Sequence, residues 1–393
     1  LIASLTARSE TQQWEELIGT LLRRLELDPA ERANVEIDYL LLAERIAKKL
    51  GISRDDVYIF PQGSMRTQTT ISQRYPVKFD LDIVVKLTGR SYSSPNPDAM
   101  FADFGKALEG NESVTGAPEA KRRCWRLPYP GKAYYFDVTP AVKDQTQRAG
   151  SVLSVRDPDT QWAPSNPEEF AQWFCDHADK KFPFQQVVEF AKAEATTSIE
   201  PLPEGRIGLS DVLRRAVQLM KLHRDTYYWG SDEQTRAAMP ISVIIVTLAT
   251  WSYAELLAKR ANEFQSSIEV VLELVEAMPH FIEGDSNEWR VENPRLQSEN
   301  FADKWNNDGG ERHKAFHVWH RKLVSDLEAL LYQSSKLATV DKIRSVFGAA
   351  GVEAWQASKP AANILDGLIA SAGSHIKQNP TSPNPMGSSN QLG

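Results

Sequence analysis

Cysteine is nearly absent. Two residues in 393, Cys124 and Cys175, cannot form a disulfide framework or a multi-cysteine zinc site, so a reducing, cytosolic compartment is expected. Long hydrophobic runs are missing too: the longest, Ile241 to Trp251, is about half of what a bilayer span needs. Leu1–Glu10 shows no cleavable signal peptide. There is no excess of basic charge. Lys and Arg number 45 against 52 Asp and Glu, a net charge of -7, which argues against a protein that grips duplex DNA through its phosphates but leaves room for a local basic groove. No internal repeat is evident. What is present is an ordinary globular composition, 41% hydrophobic and 25% charged, enough to build packed cores. At roughly 150 residues per domain the length favours two to three domains.

The pattern along the chain changes character once. Trp14, Leu17, Ile18, Leu21, Leu22 and Leu25 recur at helical spacing. Asp28-Pro29-Ala30-Glu31 then supplies a cap, a first-turn proline and a capping-box acid for a second helix that ends at Gly51. Val57 to Phe60 and Val77 to Leu87 read as strands, Pro97 to Leu108 as a helix, and Lys121 to Leu127 with Lys132 to Val138 as two strands joined by a turn at Pro128-Tyr129-Pro130-Gly131. Beyond about residue 160 strand signals almost vanish. Asn166–Lys180, Leu209–Tyr228, Pro240–Arg260, Ser266–Met278, Arg312–Gln333, Thr339–Ala349 and Val352–Ala370 all read as helices. Lys377–Gly393 holds three prolines and four Ser or Thr residues with no charge after Lys377, and reads as a flexible tail.

Chemistry concentrates in a few acids. Residues two apart on a strand share a face, so Asp80 and Asp82 present their carboxylates together. Adjacent anions suit a divalent metal, and hard oxygen ligands match Mg²⁺. Asp137, in the strand-like run Tyr134 to Val138, is the expected third ligand of a two-metal site; Asp144 and Asp157 are alternatives in loop-like sequence. Gly63-Ser64 follows a strand and precedes a helix, where backbone amides and a hydroxyl cradle a triphosphate. Gln62, Arg66 and Thr69 of the same loop are further nucleotide-binding candidates. Arg214, Lys221 and Arg224 form a basic stripe on one helix, which by itself reads as a solvated face; His223 reads as a surface or packing residue, and Arg122 and Arg123 as solvent-facing strand residues.

The runs Pro61-Gln62-Gly63-Ser64-Met65-Arg66-Thr67-Gln68-Thr69 and Phe79-Asp80-Leu81-Asp82-Ile83-Val84-Val85 resemble the polymerase-β-type nucleotidyltransferase core. Four further stretches narrow the resemblance to the cGAS/DncV-like nucleotidyltransferases (CD-NTases) of bacterial anti-phage signalling: Trp162 to Pro167 with Trp173-Phe174, Leu219 to Asp225, Pro240 to Ile245, and Asn300 to Trp305. The resemblance implies an α+β fold: N-terminal helices over 1–55 packing on the core, a mixed-sheet catalytic core over 56–160, an all-helical OAS-like domain over 161–372, and a tail over 373–393. The active site is then expected in the cleft between sheet and helices. Lys221 and Ser242 match the family positions that hold the donor triphosphate. The implied reaction is Mg²⁺-dependent (two ions, Mn²⁺ substituting), template-independent joining of ATP and GTP into a cyclic dinucleotide, cyclic GMP-AMP being the leaning, which activates an effector. The tail ending at Gly393 resembles those that ubiquitin-transfer-like (E1/E2-type) enzymes conjugate. One departure stands out: the family often has glycine before the loop threonine, where this chain has Gln68.

Two other functions compete. A non-cyclising nucleotidyltransferase would act on a small molecule, a protein or an RNA end, and a catalytically inactive scaffold would act through its tail.

Overall fold

The two N-terminal helices serve different cores. In the computed structural model, which describes residues 2–72, 78–110, 116–144, 150–184, 211–285, 288–331 and 338–358, α1 (Ile2–Leu25) turns Trp14, Leu17, Leu21 and Leu22 into a helical core that lies outside the sheet. α2 (Pro29–Leu50) begins at Asp28, whose carboxylate accepts from the Ala30 and Glu31 amides, and stops at Gly51 in left-handed backbone. Its buried stripe, Val35, Tyr39, Leu42 and Ile46, packs on the sheet. The expectation that both helices cover the catalytic core is therefore corrected for α1. An amphipathic helix has one apolar stripe and can bury it against one neighbour, and with Trp14 sealed in the helical core its truncation to alanine would cost about 3–5 kcal/mol.

β1 (Val57–Pro61) runs into the short helix α3 (Gly63–Arg66), followed by β2 (Phe79–Leu87) and α4 (Pro97–Leu108). Then come β3 (Glu119–Ala120), β4 (Trp125–Pro128), β5 (Tyr134–Lys143), β6 (Leu153–Asp157) and β7 (Gln161–Ser165). These strands form one mixed sheet in the order β1-β2-β5-β4-β3, with β6 pairing β5 and β7 pairing β6. β2 and β5 are parallel; the other pairings are antiparallel. One face of the central pair carries Leu81, Ile83, Tyr134, Phe136 and Val138 into the core under α2 and α4. Strand alternation sends Asp80, Asp82 and Asp137 to the opposite face. The sequence around Asp157, loop-like by its residues, forms strand β6. Asp157, at the end of β6, is buried and ion-paired to Arg122 and Arg123.

The remaining chain is mostly helical: α5 (Pro167–Ala178), α6 (Val212–Tyr227), α7 (Glu233–Ala237), α8 (Ser242–Arg260) and α9 (Ser267–Ala277). Two short ribbons follow, β8 (Glu283–Asp285) with β9 (Glu288–Arg290), and β10 (Glu292–Asn293) with β11 (Leu296–Asn300). These strands lack the alternating apolar pattern, so the sequence marks no element between Met278 and Arg312. α10 (Asp303–Asn307), α11 (Glu311–Leu331) and α12 (Val340–Ser358), which breaks at Gly348, complete the described chain. By length and composition α8 could cross a membrane, yet Ile244, Ile245, Leu248 and Tyr253 pack in the helical core. The tail over 373–393 with Gly393, and the far end of the helix expected over Val352–Ala370, lie outside the described residues.

Candidate active site

The parallel register of β2 and β5 sets Asp82 directly beside Asp137. Asp80, two residues back along β2, faces the same way. One carboxylate oxygen from each of the three lies within 4.8 Å of the others, close enough to share one or two divalent cations. Asp144 and Asp157 are not part of this cluster. Burial is the main cause that pushes the Asp80 carboxyl up to about 6, followed by the charge of Asp137. Asp82 is raised well above the usual carboxylate range, first by burial and then by Asp80 and Asp137. Crowded, partly desolvated anions with hard oxygen donors are what a divalent cation needs, so the donor set fits Mg²⁺ or Mn²⁺.

The loop after β1 is tied to the same strand. The Gln62 amide donates to the Asp82 carbonyl at 2.9 Å. Gly63 has φ +57, and a Cβ there would stand 2.5 Å from Asp82 Oδ2; only glycine supplies both the backbone and the space. Thr67 Oγ1 donates to the Gly63 carbonyl at 3.0 Å, the Thr69 amide donates to the Ser64 carbonyl at 2.8 Å, and Thr70 Oγ1 donates to Ser64 Oγ at 3.1 Å. Gln68 takes φ 57. The position where the family often has glycine is thus left-handed here as well, and Gln68 adopts it at a cost of about 1–2 kcal/mol. Arg66 lies over the Phe60 ring, 5.9 Å from its centroid.

α6 is buried on every side through residues 212–225, so its basic stripe is not a solvated face. Lys221 Nζ donates to the carbonyl and hydroxyl oxygens of Thr69 at 3.2 and 3.0 Å, joining the helix to the phosphate loop. Arg214 Nε donates to the Thr67 carbonyl at 3.1 Å, one step away on the same loop, and pairs with Asp211. Burial, then the nearby Arg224 charge, lowers Lys221 to about 7. Arg224 donates to Ser242 Oγ at 3.0 Å, to the Pro240 carbonyl at 3.0 Å and to Asp225. Ser242, at the start of α8, thereby joins the cluster through Arg224, one turn of α6 beyond Lys221. His223 is a packing residue: it is buried, meets Asp326 at 3.1 Å and accepts from Trp319 Nε1 at 3.2 Å.

Sequence reading missed Arg126 and Tyr135. On β4, Arg126 opposes Asp137 and donates to both its oxygens, Nε to Oδ1 at 2.9 Å and Nη2 to Oδ2 at 2.7 Å. Tyr135 stands beside Asp80 in the parallel register of β2 and β5, and Arg126 lies over its ring. A turn confined to residues 128–131 would put residue 126 opposite 133; the strands instead pair across the longer connection 129–134, which brings residue 126 opposite 137.

Similarity to known proteins covers both halves. The Second Messenger Oligonucleotide or Dinucleotide Synthetase domain family matches residues 13–177. A c-di-GMP synthase of Roseivirga ehrenbergii is 29% identical over 312 residues, 77% of this chain and 75% of that protein. In fold, the chain is similar to the Bradyrhizobium diazoefficiens CD-NTase CdnG, solved with GTP (TM-score 0.62, 22% identity, 86% of this chain and 96% of that one). It is also similar to Escherichia coli DncV in its 3'-deoxy GTP bound form (TM-score 0.51, 16% identity, 90% of each). The chain is thus similar to Second Messenger Oligonucleotide or Dinucleotide Synthetase domains over residues 13–177 and shares the fold of the CD-NTases.

Proposed function

We propose that this protein is a cyclic oligonucleotide synthase that joins purine nucleoside triphosphates without a template, under Mg²⁺ or Mn²⁺, into a cyclic dinucleotide that switches on a defence effector. The observation that carries the reading is the meeting of Asp80, Asp82 and Asp137 within 4.8 Å beside a Gly-Ser loop anchored to the same strand. In this reading the three carboxylates hold the divalent cations, two by analogy with two-metal transferases. Cations held there neutralise the leaving pyrophosphate and acidify the attacking ribose hydroxyl.

The protein's own groups bind and orient. Gly63 and Ser64 offer backbone amides and a hydroxyl to the triphosphate, while Gln62 ties the loop to Asp82 and Thr69 links it to Lys221. Lys221 and Arg224 bring positive charge in from α6, and Ser242 adds a hydroxyl beside them. Arg66 flanks the entrance to the loop. A buried lysine held near 7 gains its full charge when a triphosphate arrives, which makes the site selective for a polyanion. A linear intermediate that turns its own hydroxyl toward a second triphosphate needs only this one cleft.

A ring containing guanine and adenine is the leading product. The c-di-GMP synthase relative favours a second reading, a ring made from GTP alone. Purified protein incubated with labelled ATP, GTP and both, then treated with phosphatase and analysed by mass spectrometry, separates them. A resistant product from GTP alone selects the second reading; one that needs both triphosphates selects the first. Phosphatase-sensitive chains reject cyclisation.

A further inference from the structure

Among the described residues, three carboxylates meet on the face of the sheet opposite its core with α2 and α4, and one of them already has a cation of its own. β4 and β5 pair so that Arg126 opposes Asp137. The guanidinium meets both Asp137 oxygens edge-on through Nε and Nη2. It rests on the Tyr135 ring, 3.9 Å from guanidinium carbon to centroid, and Tyr135 stands beside Asp80 in the register of β2 and β5. The arginine is thus held in orientation by the two carboxylate oxygens and by a ring two residues from Asp137 on the same strand. Its side chain is only part-buried, at 29% exposure, so a hydrated cation can approach the same carboxylate.

We infer that Arg126 is a positioning residue for the metal site: a built-in counter-cation that holds Asp137 aimed at Asp80 and Asp82 in the metal-free enzyme and competes with divalent cations for it. This rests on the reading of the three acids as a metal site. The physical case is electrostatic. Without a cation, Asp137 would repel two neighbours at under 5 Å, and its side chain would rotate away or the carboxylates would take up protons. A planar fork that meets both oxygens fixes the carboxylate plane as well as its charge, which a lysine cannot do. The same positive charge beside the site repels an incoming divalent ion, so the arginine holds the ligand in place while weakening bare-metal binding.

The experiment compares wild type, Arg126→Gln, Arg126→Lys and Asp137→Asn by Mn²⁺ titration under electron paramagnetic resonance, and by thermal melting in EDTA and in saturating Mn²⁺. Arg126→Gln is expected to bind Mn²⁺ about five- to tenfold more tightly than wild type, the effect of one nearby charge removed in a solvent-screened site. It should melt below wild type in EDTA and level with it in Mn²⁺. Arg126→Lys should keep wild-type Mn²⁺ affinity. In an Asp137→Asn background, Arg126→Gln should no longer lower the melting point in EDTA, because the fork then has no carboxylate to hold, a comparison that holds even where the single variant folds poorly. Unchanged or weaker Mn²⁺ binding by Arg126→Gln, or a melting deficit that Mn²⁺ does not repair, would overturn the inference by making the arginine a purely structural partner. Failure of the wild type itself to bind Mn²⁺, or equal binding by Asp82→Asn, would instead remove the metal-site reading beneath it.

Discussion

Gly63 and Asp82 touch in a way that no other residue pair in the site could reproduce: a Cβ at position 63 would lie 2.5 Å from the Asp82 carboxylate. The phosphate loop and the central acid are therefore a single unit, with Gln62 bonded to the same strand residue from the backbone side. Gly63→Ala can be accommodated only by turning Asp82 aside, and it also forces a side chain onto left-handed backbone. Product formation is expected to fall about 100-fold or more, in line with the effect of a 1 Å misplacement. Melting temperature should drop by only a few degrees. Rate assays beside thermal melting check this; an active Gly63→Ala enzyme would mean that the loop does not approach the acids during turnover.

The acids should weigh against stability when no cation is bound. Asp80 has its pKa raised to about 6, above the usual value near 4 for an unfolded aspartate. Between those limits the folded protein binds more protons than the unfolded chain, so this contribution to stability falls as pH rises from about 4 to 6. In EDTA at pH 7.5, Asp80→Asn and Asp82→Asn are expected to melt above wild type by about one to three degrees, while losing activity by at least about 100-fold. Mn²⁺ should raise the wild-type melting point and leave the Asp82→Asn point nearly unmoved. Melting curves with and without Mn²⁺ across pH 5–8 test all of these signs together.

Lys221 follows the opposite sign. Its pKa falls to about 7, well below the usual lysine value near 10.4. Over that range the unfolded chain holds more protons, so this contribution strengthens as pH rises toward about 10. Lys221→Met removes a buried amine while keeping its stem, and the nucleotide-free variant is expected to melt no lower than wild type at pH 7. The KM for GTP should rise at least about tenfold through the lost charge-assisted contact. A variant that melts far below wild type with KM unchanged would make Lys221 a structural strut to Thr69 alone.

Gln68 offers a gain. Its left-handed backbone costs an L-residue about 1–2 kcal/mol, part of which glycine gives back as unfolded-chain entropy. Gln68→Gly is expected to stabilise the protein by about 0.5–1 kcal/mol with activity retained. Denaturant melts measure this directly. A loss of stability would show that the Gln68 side chain makes contacts worth more than the strain.

Much of the sheet and its acids is readable from the residues themselves. Alternation around Leu81 and Ile83 sends Asp80 and Asp82 to one face, and the turn at Pro128-Tyr129-Pro130-Gly131 separates the strands that carry Arg126 and Asp137. Such signals are local: a two-residue period, a cap, a turn. The buried state of α6 was not readable. A helix carrying Arg214, Lys221 and Arg224 looks half-solvated until the loop oxygens of Thr67 and Thr69 and the hydroxyl of Ser242 appear as partners from distant sequence. The short ribbons at 283–285, 288–290, 292–293 and 296–300 carry no apolar alternation, because only single residues turn inward: Leu296 and Asn293 are buried and Trp289 packs against the helical core. Their role shows in Glu299, which accepts from Ser165 and Asn293 and so ties β11 to the end of β7.

By itself, the amino-acid order determined which chemistry this protein could perform: three acids at strand spacing, a Gly-Ser turn, and a helix with cations at its turns. Tertiary structure alone decided which of those groups meet. It drew α1 away to the helical core, left Asp144 and Asp157 out of the acid cluster, and set Arg126 against Asp137. The physical reason is that period and capping are properties of neighbours along the chain, whereas an ion pair, a desolvated lysine or a shared metal site depends on the packing of segments tens to hundreds of residues apart.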